Sequence, residues 1–194
     1  MSNIKLTVCI PMFNAEKTIA KTLESINNST VPVKIVIVDD HSVDASIEVV
    51  KKLSLQNVEI YSNEGVRGPG SSRNIGIEKA NTEFITFCDA DDIVTPEGYK
   101  QLLTIAERNN SDIVIGQYLR KVDKSKWNTS KLLLSKYIGD NANLVDDDEI
   151  MHISPSVCTK IFRLNTLNDN NIRFNNSFLA EDLAFTIKCQ KCLK

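Results

Sequence analysis

Lys34-Ile35-Val36-Ile37-Val38-Asp39-Asp40 and Phe84-Ile85-Thr86-Phe87-Cys88-Asp89-Ala90-Asp91-Asp92 are two apolar runs that each stop on aspartates. An uninterrupted β-branched run suits a strand covered on both faces, the usual state of a parallel sheet. The neighbouring sequence fits that sheet. Leu6-Thr7-Val8-Cys9-Ile10, closed by Pro11, reads as another buried strand, and Val58-Glu59-Ile60-Tyr61 as a third. Between them, Glu16 to Asn28 places Ile19, Ala20, Leu23, Ser25 and Ile26 on one helical stripe, and a second helical pattern spans Val43 to Leu53. A turn-rich stretch, Ser62 to Ser71, carries Gly65, Gly68 and Gly70 and leads into a helix over 72–80. Pro96 suits the first turn of a helix reaching Arg108, and Asp112 to Leu119 reads as a fifth strand. Strand-helix alternation of this kind predicts an α/β fold, a Rossmann-like, mostly parallel central sheet with helices on both faces. Ligands of such sheets sit outside the carboxyl ends of the strands, where the strand order switches. Two strands here end in acidic clusters at that edge.

The composition is that of an ordinary globular domain: 194 residues, 42% apolar and 25% charged. Disordered and collagen-like classes are excluded. With 23 Lys and Arg against 25 Asp and Glu, the net charge is -2, so no broad basic surface marks nucleic acid as a partner. No apolar run approaches the roughly 18–20 residues of a membrane helix, and Met1 to Phe13 makes a poor signal peptide. Five scattered cysteines suit a reducing compartment, and the expected location is cytoplasmic. The expected organisation is a single domain over 1–194, with no internal repeat or linker.

The acidic strand ends carry the chemistry. Asp89 and Asp91, two residues apart past a strand end, offer hard oxygen ligands for Mn²⁺ or Mg²⁺. An isolated pair of this kind usually caps a helix, but crowding carboxylates at one sheet edge is costly unless a cation neutralises them. Asp40 can accept the ring N–H of uracil, thymine or guanine, with capping of the following helix left to Asp39 or Ser42. The loop Asn63 to Ser71, followed by Arg73, offers backbone N–H groups, a helix start and a cation for a diphosphate. Cys189 and Cys192 form a C-x-x-C inside the terminal helical pattern, without a second ligand pair, and read as incidental. His41 reads as an exposed spectator, His152 as structural, and Trp127 as a packing residue or a cover for an acceptor sugar. The run Asp146-Asp147-Asp148-Glu149 reads as a solvated helix start.

Taken in order, these segments resemble a known family. Pro11-Met12-Phe13-Asn14, Val38-Asp39-Asp40-His41-Ser42-Val43-Asp44, Asn63-Glu64-Gly65, Ser72-Arg73-Asn74-Ile75-Gly76 and Phe87-Cys88-Asp89-Ala90-Asp91-Asp92 are similar to the nucleotide-sugar motifs of glycosyltransferase family 2. Ser156 to Arg163 and Phe178-Leu179-Ala180-Glu181-Asp182 resemble its later blocks. The resemblance implies a GT-A fold and inverting transfer of a sugar from a UDP-sugar donor to a glycan or lipid-linked glycan acceptor, in surface polysaccharide or glycan biosynthesis. It places the metal on Asp91 with Asp89 and the base contact on Asp40. The nucleoside pocket falls on Pro11 and Phe13, further donor contacts on Asn63, Arg73 and Glu181, and the catalytic base on Asp182. It divides the chain into a nucleotide-sugar-binding half over 1–120 and an acceptor-side half over 121–194. Family members commonly continue past the Glu181-Asp182 helix, so a shortened acceptor side is expected, with peripheral membrane contact left to the full-length protein. Without the family, Asp182 reads first as a carboxylate capping its helix.

Three other readings compete with this one. A nucleotide-sugar-binding domain without turnover would share the donor motifs and be indifferent to loss of Asp182. A sugar nucleotidyltransferase would want a glycine- and lysine-rich triphosphate loop near the first strand, which is missing. A Rossmann dehydrogenase would want G-x-G-x-x-G where Pro11-Met12-Phe13-Asn14 stands. No G-x-x-x-x-G-K-[ST] marks a P-loop NTPase either.

Overall fold

A computed structural model of the chain describes residues 4–117, 119–121, 127–129, 155–175 and 181–192. The first half alternates as its sequence predicts: β1 (Leu6–Met12), α1 (Ile19–Asn27), β2 (Val33–Asp39), α2 (Ser46–Leu53), β3 (Val58–Ser62), α3 (Pro69–Lys79) and β4 (Phe84–Phe87). Next come α4 (Gly98–Asn109), β5 (Ile113–Ile115), β6 (Leu119–Lys121), β7 (Trp127–Thr129), β8 (Lys160–Arg163), α5 (Leu164–Asp169) and α6 (Glu181–Cys192). Six strands form one sheet in the order β3-β2-β1-β4-β8-β5. β1 pairs in parallel with β2 and β4, and β2 with β3, whereas β8 runs antiparallel to both β4 and β5. After β3 the chain crosses back over β1 to lay down β4, so the order switches between β1 and β4. The carboxyl ends of those two strands therefore open a crevice.

Side-chain alternation along each strand sorts the core into two layers. Leu6, Val8, Ile10 and Met12 face α1, α2 and α4 through Ile19, Leu23, Ile26, Val50, Leu103 and Ala106. On the opposite face Cys9, Ile85, Phe87 and Phe162 meet Ile77, Leu164, Leu167, Phe185 and Cys189 of α3, α5 and α6. Helices thus cover both faces. Four aromatic rings fix α6 on that second face: Phe174 and Phe185 stack with centroids 3.9 Å apart, and Phe87 meets Phe174 edge-on at 5.2 Å. Phe162 packs edge-on against Phe185 at 5.4 Å. This cluster is what sets the start of α6 beside the sheet.

Gly76 lets α3 lie directly on β1, because a Cβ there would stand 2.0 Å from Cys9 Sγ and 2.9 Å from Cys9 Cβ. Gly76→Ala is expected to cost about 1–3 kcal/mol of stability by overpacking. A urea melt checks it, and an unchanged midpoint would mean that α3 can move off the sheet freely.

The structure departs from the sequence reading in three places. The strand expected over 112–119 ends at Ile115; Gly116 N–H donates to Thr159 O at 2.7 Å, and Leu119–Lys121 instead pairs with Trp127–Thr129 as a two-stranded ribbon. A side chain at Gly116 would meet Leu102 Cδ2 and Thr159 O at 3.2 Å, so the chain leaves the sheet where only glycine passes comfortably. β8 takes the sheet position between β4 and β5, a pairing that no local pattern in Lys160-Ile161-Phe162-Arg163 could announce. Pro96 precedes α4 rather than opening it: a turn from Thr95 to Gly98 intervenes, with Gly98 N–H donating to Thr95 O. The charge run 146–149, His152 and the side chain of Trp127 lie outside the described residues. No helix among the described residues is long and apolar enough to cross a membrane.

Candidate active site

The crevice at the switch point is a cleft of about 780 Å³. Pro11 near the end of β1, Phe13 just past it, Asp40 after β2, Arg67 before α3, and Asp89 and Asp91 after β4 all line it. Its wall is built by reciprocal bonds between the loops after β1 and β2. Asn14 N–H donates to Ser42 Oγ at 2.9 Å, and Val43 N–H donates to Asn14 Oδ1 at 2.9 Å. Glu16 N–H donates to Asp44 Oδ2 at 3.1 Å, and Ala45 N–H donates to Glu16 Oε2 at 3.1 Å. Asn14 (φ 47°) and His41 (φ 66°) adopt left-handed backbone in these turns, and His41 is exposed, as the sequence suggests. Asp39 takes Ser42 N–H at 3.2 Å, but Asp44 takes Ser46 N–H at the start of α2.

Asp40 is buried and both its oxygens have partners. Oδ1 accepts from Asn63 Nδ2 at 2.5 Å and from Ser72 Oγ at 3.3 Å, and Oδ2 accepts from Gly68 N–H at 2.9 Å. Gly68 reaches this geometry at φ 136°, ψ 154°, a conformation open essentially to glycine alone. Asn63 is buried at 2% exposure and also donates to Val66 O, so it works as the clamp between Asp40 and the glycine loop. A carboxylate still has lone pairs to spare with three donors on it, so Asp40 keeps acceptor capacity toward the cleft.

Arg73 ties three carboxylates from distant parts of the chain. Its Nη2 reaches Asp89 Oδ1 at 2.9 Å, and its Nη1 reaches Asp182 Oδ1 at 2.9 Å and Glu181 Oε1 at 3.1 Å. The guanidinium also sits 5.5 Å from the Phe174 ring centroid. Burial works against its charge, but Asp182 and Asp89 more than offset that and raise its pKa. Asp182 Oδ2 accepts from Val157 N–H at 3.3 Å. Burial pushes the Asp182 carboxyl above the usual aspartate range, and Arg73 and the Val157 N–H only partly pull it back. Beneath the turn over 157–159 lies Lys160, buried, its ammonium donating to Ser156 O. Burial lowers Lys160 to about 8 against the pull of Asp182.

Past β4 the chain turns sharply, with Asp92 N–H donating to Asp89 O at 3.1 Å. Thr22 Oγ1 of α1 holds the turn through Ala90 O at 3.0 Å. Asp89, Asp92 and Cys158 bring one ligand atom each within 4.8 Å of one another, while Asp91 lines the cleft. Burial, with Asp89 and Asp91 adding to it, pushes the Asp92 carboxyl up. Burial also keeps Cys158 a neutral thiol, which suits a hard cation poorly. The carboxylate oxygens are the right donor chemistry for Mg²⁺ or Mn²⁺, and the thiol is not.

The structure therefore gathers Pro11, Phe13, Asp40, Asp89 and Asp91 at the cleft, and joins Asp89 to Glu181 and Asp182 through Arg73. Asn63 and Arg73 lie behind this surface: Arg73 is only 3% exposed and does not line the cleft. The sequence reading assigns no individual role to Arg67, which lines the cleft with its guanidinium 4.9 Å from the Phe13 ring centroid, or to Asp92, Cys158 and Lys160. A cation within the glycine-rich loop was the available signal for Arg67.

The six-stranded, mostly parallel sheet with its carboxylate-edged cleft at the switch point is shared with solved glycosyltransferases of the GT-A fold. Residues 7–165 match the sequence profile of Glycosyl transferase family 2, and the chain belongs to that family. It is 32% identical, over 197 residues, to the poly(ribitol-phosphate) beta-N-acetylglucosaminyltransferase TarS of Staphylococcus aureus (strain MW2), covering 95% of this chain and 32% of that protein. It is also 32% identical to the poly(ribitol-phosphate) beta-glucosyltransferase of Bacillus spizizenii, covering 95% of this chain and 29% of that one. The chain thus spans about a third of the length of these relatives. The crystal structure of S. aureus TarS 1-349 in complex with UDP-GlcNAc superposes with a TM-score of 0.82 at 28% identity, covering 98% of this chain and 54% of that one.

Proposed function

We propose that this chain carries the donor site and catalytic base of an inverting glycosyltransferase, which moves a sugar from a UDP-sugar to a hydroxyl of a cell-surface polymer. The observation that carries the reading is the Arg73 hub, which joins Asp89 at the cleft to Asp182 at the start of α6. The names of TarS and the B. spizizenii enzyme support a surface-polymer acceptor, and the UDP-GlcNAc held by TarS supports a UDP-sugar donor. In this scheme Pro11 and Phe13 cover the nucleoside and Asp40 accepts the uracil N–H. Asp89 and Asp91 would hold Mn²⁺ or Mg²⁺, which when bound supplies positive charge to the diphosphate. Residues 1–120 form the donor half, and 121–194 bring Asp182 to it.

Asp182 takes the proton of the acceptor hydroxyl as that oxygen attacks C1 of the sugar. The C1–O bond to the diphosphate breaks, its electron pair leaves with UDP, and the anomeric configuration inverts. A carboxyl raised by burial is a stronger base than an exposed aspartate. Arg73 and the Val157 N–H hold one oxygen each, which fixes the plane of the carboxylate while both oxygens retain lone pairs.

The test is incubation with UDP-GlcNAc and related UDP-sugars, following UDP by coupled assay and the released sugar by NMR. Slow hydrolysis should need Mn²⁺ or Mg²⁺ and release UDP, with the anomer opposite to that of the donor appearing first. Release of pyrophosphate, or retention of configuration, would refute it. Asp91→Ala should weaken Mn²⁺-dependent UDP binding by at least about tenfold, since a hard cation here depends on very few protein oxygens. Calorimetry reads that change, and unaltered binding would remove Asp91 from the metal site.

A further inference from the structure

The sequence supplies two neutralising devices for a diphosphate, the N–H groups of the glycine loop and the cation of Arg73, and the fold commits the Gly65 and Gly68 N–H groups and Arg73 elsewhere. Gly65 N–H donates to Asn63 Oδ1 at 3.0 Å, and Gly68 N–H donates to Asp40 Oδ2 at 2.9 Å. The first residue of α3 is Pro69, which has no N–H to give. Arg73 is buried and ion-paired with three carboxylates. The cleft itself is acidic, with Asp40, Asp89 and Asp91 along it.

Among the described residues lining this cleft, Arg67 is the sole cation. It is exposed and forms no ion pair with a described residue. Its guanidinium lies 4.9 Å from the Phe13 ring centroid, a cation–π contact that leaves its N–H fork at the cleft surface. Phe13 itself is half exposed at 51% and lines the same cleft. A planar fork of donors stacked on a ring matches two phosphate oxygens bidentately, which a point charge cannot do.

We infer that Arg67 is the side chain of this chain that meets the diphosphate of the donor, held in place by Phe13. The inference rests on the donor-cleft reading above and adds to it a residue that the family motifs leave unassigned. Arg73 is then the organiser of the carboxylates, and Arg67 the ligand contact.

Titration of UDP into the chain with Mn²⁺ at fixed ionic strength, and of uridine followed by ligand-observed NMR, tests it in wild type, Arg67→Gln and Arg67→Lys. Arg67→Gln should weaken UDP by about tenfold or more while uridine stays within about twofold, because the lost contact is a charge-assisted hydrogen bond to phosphate. Arg67→Lys should recover part of the loss, and added salt should narrow the gap. Unchanged UDP affinity in Arg67→Gln would overturn the inference. An equal loss for uridine would overturn it too, assigning Arg67 to the nucleoside wall through Phe13. Absence of UDP binding in the wild type, by contrast, would overturn the donor-site reading itself, and the inference with it.

Discussion

Asp182→Asn is expected to lower the transfer rate by about a hundred- to ten-thousandfold, the usual worth of a general base. UDP affinity should stay within about twofold, because Asp182 does not line the donor cleft. The amide keeps the shape of the carboxylate and can still accept one bond, from Arg73 or from Val157 N–H, but it cannot take a proton. Steady-state kinetics beside a thermal melt separates the two roles open to this residue. If Asp182 merely caps α6, the melt moves and the rate per folded molecule does not. The pH profile gives a second readout. Catalysis needs the deprotonated carboxylate, and burial raises its pKa, so the wild-type rate should rise with pH through a limb lying above the usual aspartate range. That limb should vanish from the residual activity of the variant.

Arg73→Met should cost about 3–5 kcal/mol of stability, the usual penalty for removing one partner from a buried ion network. Three carboxylates converge on this guanidinium, and Asp182 and Glu181 are themselves largely buried. Their repulsion then loses the guanidinium that all three are paired with. The deficit should depend on pH with a definite sign. Arg73 lowers the Asp182 pKa in the wild type, so its loss raises the folded-state value further. A carboxyl whose folded-state pKa is raised loses stability as pH climbs from its unfolded value through its folded one. The deficit is therefore largest near neutral pH and shrinks in acid. Urea melts at pH 7 and pH 5 measure it, and a deficit equal at both would mean that the network contributes packing rather than charge. Arg73→Lys should recover little, because a single ammonium cannot bridge partners on both sides of a planar fork.

The sheet was legible where its strands are buried on both faces. The run Lys34 to Val38 and the run Phe84 to Cys88 have no polar alternation to confuse a reader, and both form interior strands of the observed order. The cleft was legible for the same reason, since aspartates that end central strands of a parallel sheet reach its carboxyl edge together. β8 was hidden because its four residues begin and end in charges, and its place in the sheet depends on pairing with β4 across more than seventy residues and with β5 across more than forty. The division of labour between the two arginines was hidden too. Arg73 sits in the more recognisable motif, yet burial against Phe174 and three carboxylates turns it into a structural hub. Arg67 has no periodic context, and only the approach of Phe13 from the end of β1 shows where it points.

The central claim is that the switch-point cleft binds a uridine diphosphate with the help of a divalent cation. Calorimetric titration of UDP into the wild-type chain, with and without Mn²⁺, tests it most directly. The account predicts one site per chain, tight with Mn²⁺ and at least about tenfold weaker without it, since cation and diphosphate neutralise each other at Asp89 and Asp91. No heat of binding in either condition, or an affinity indifferent to Mn²⁺, would contradict it.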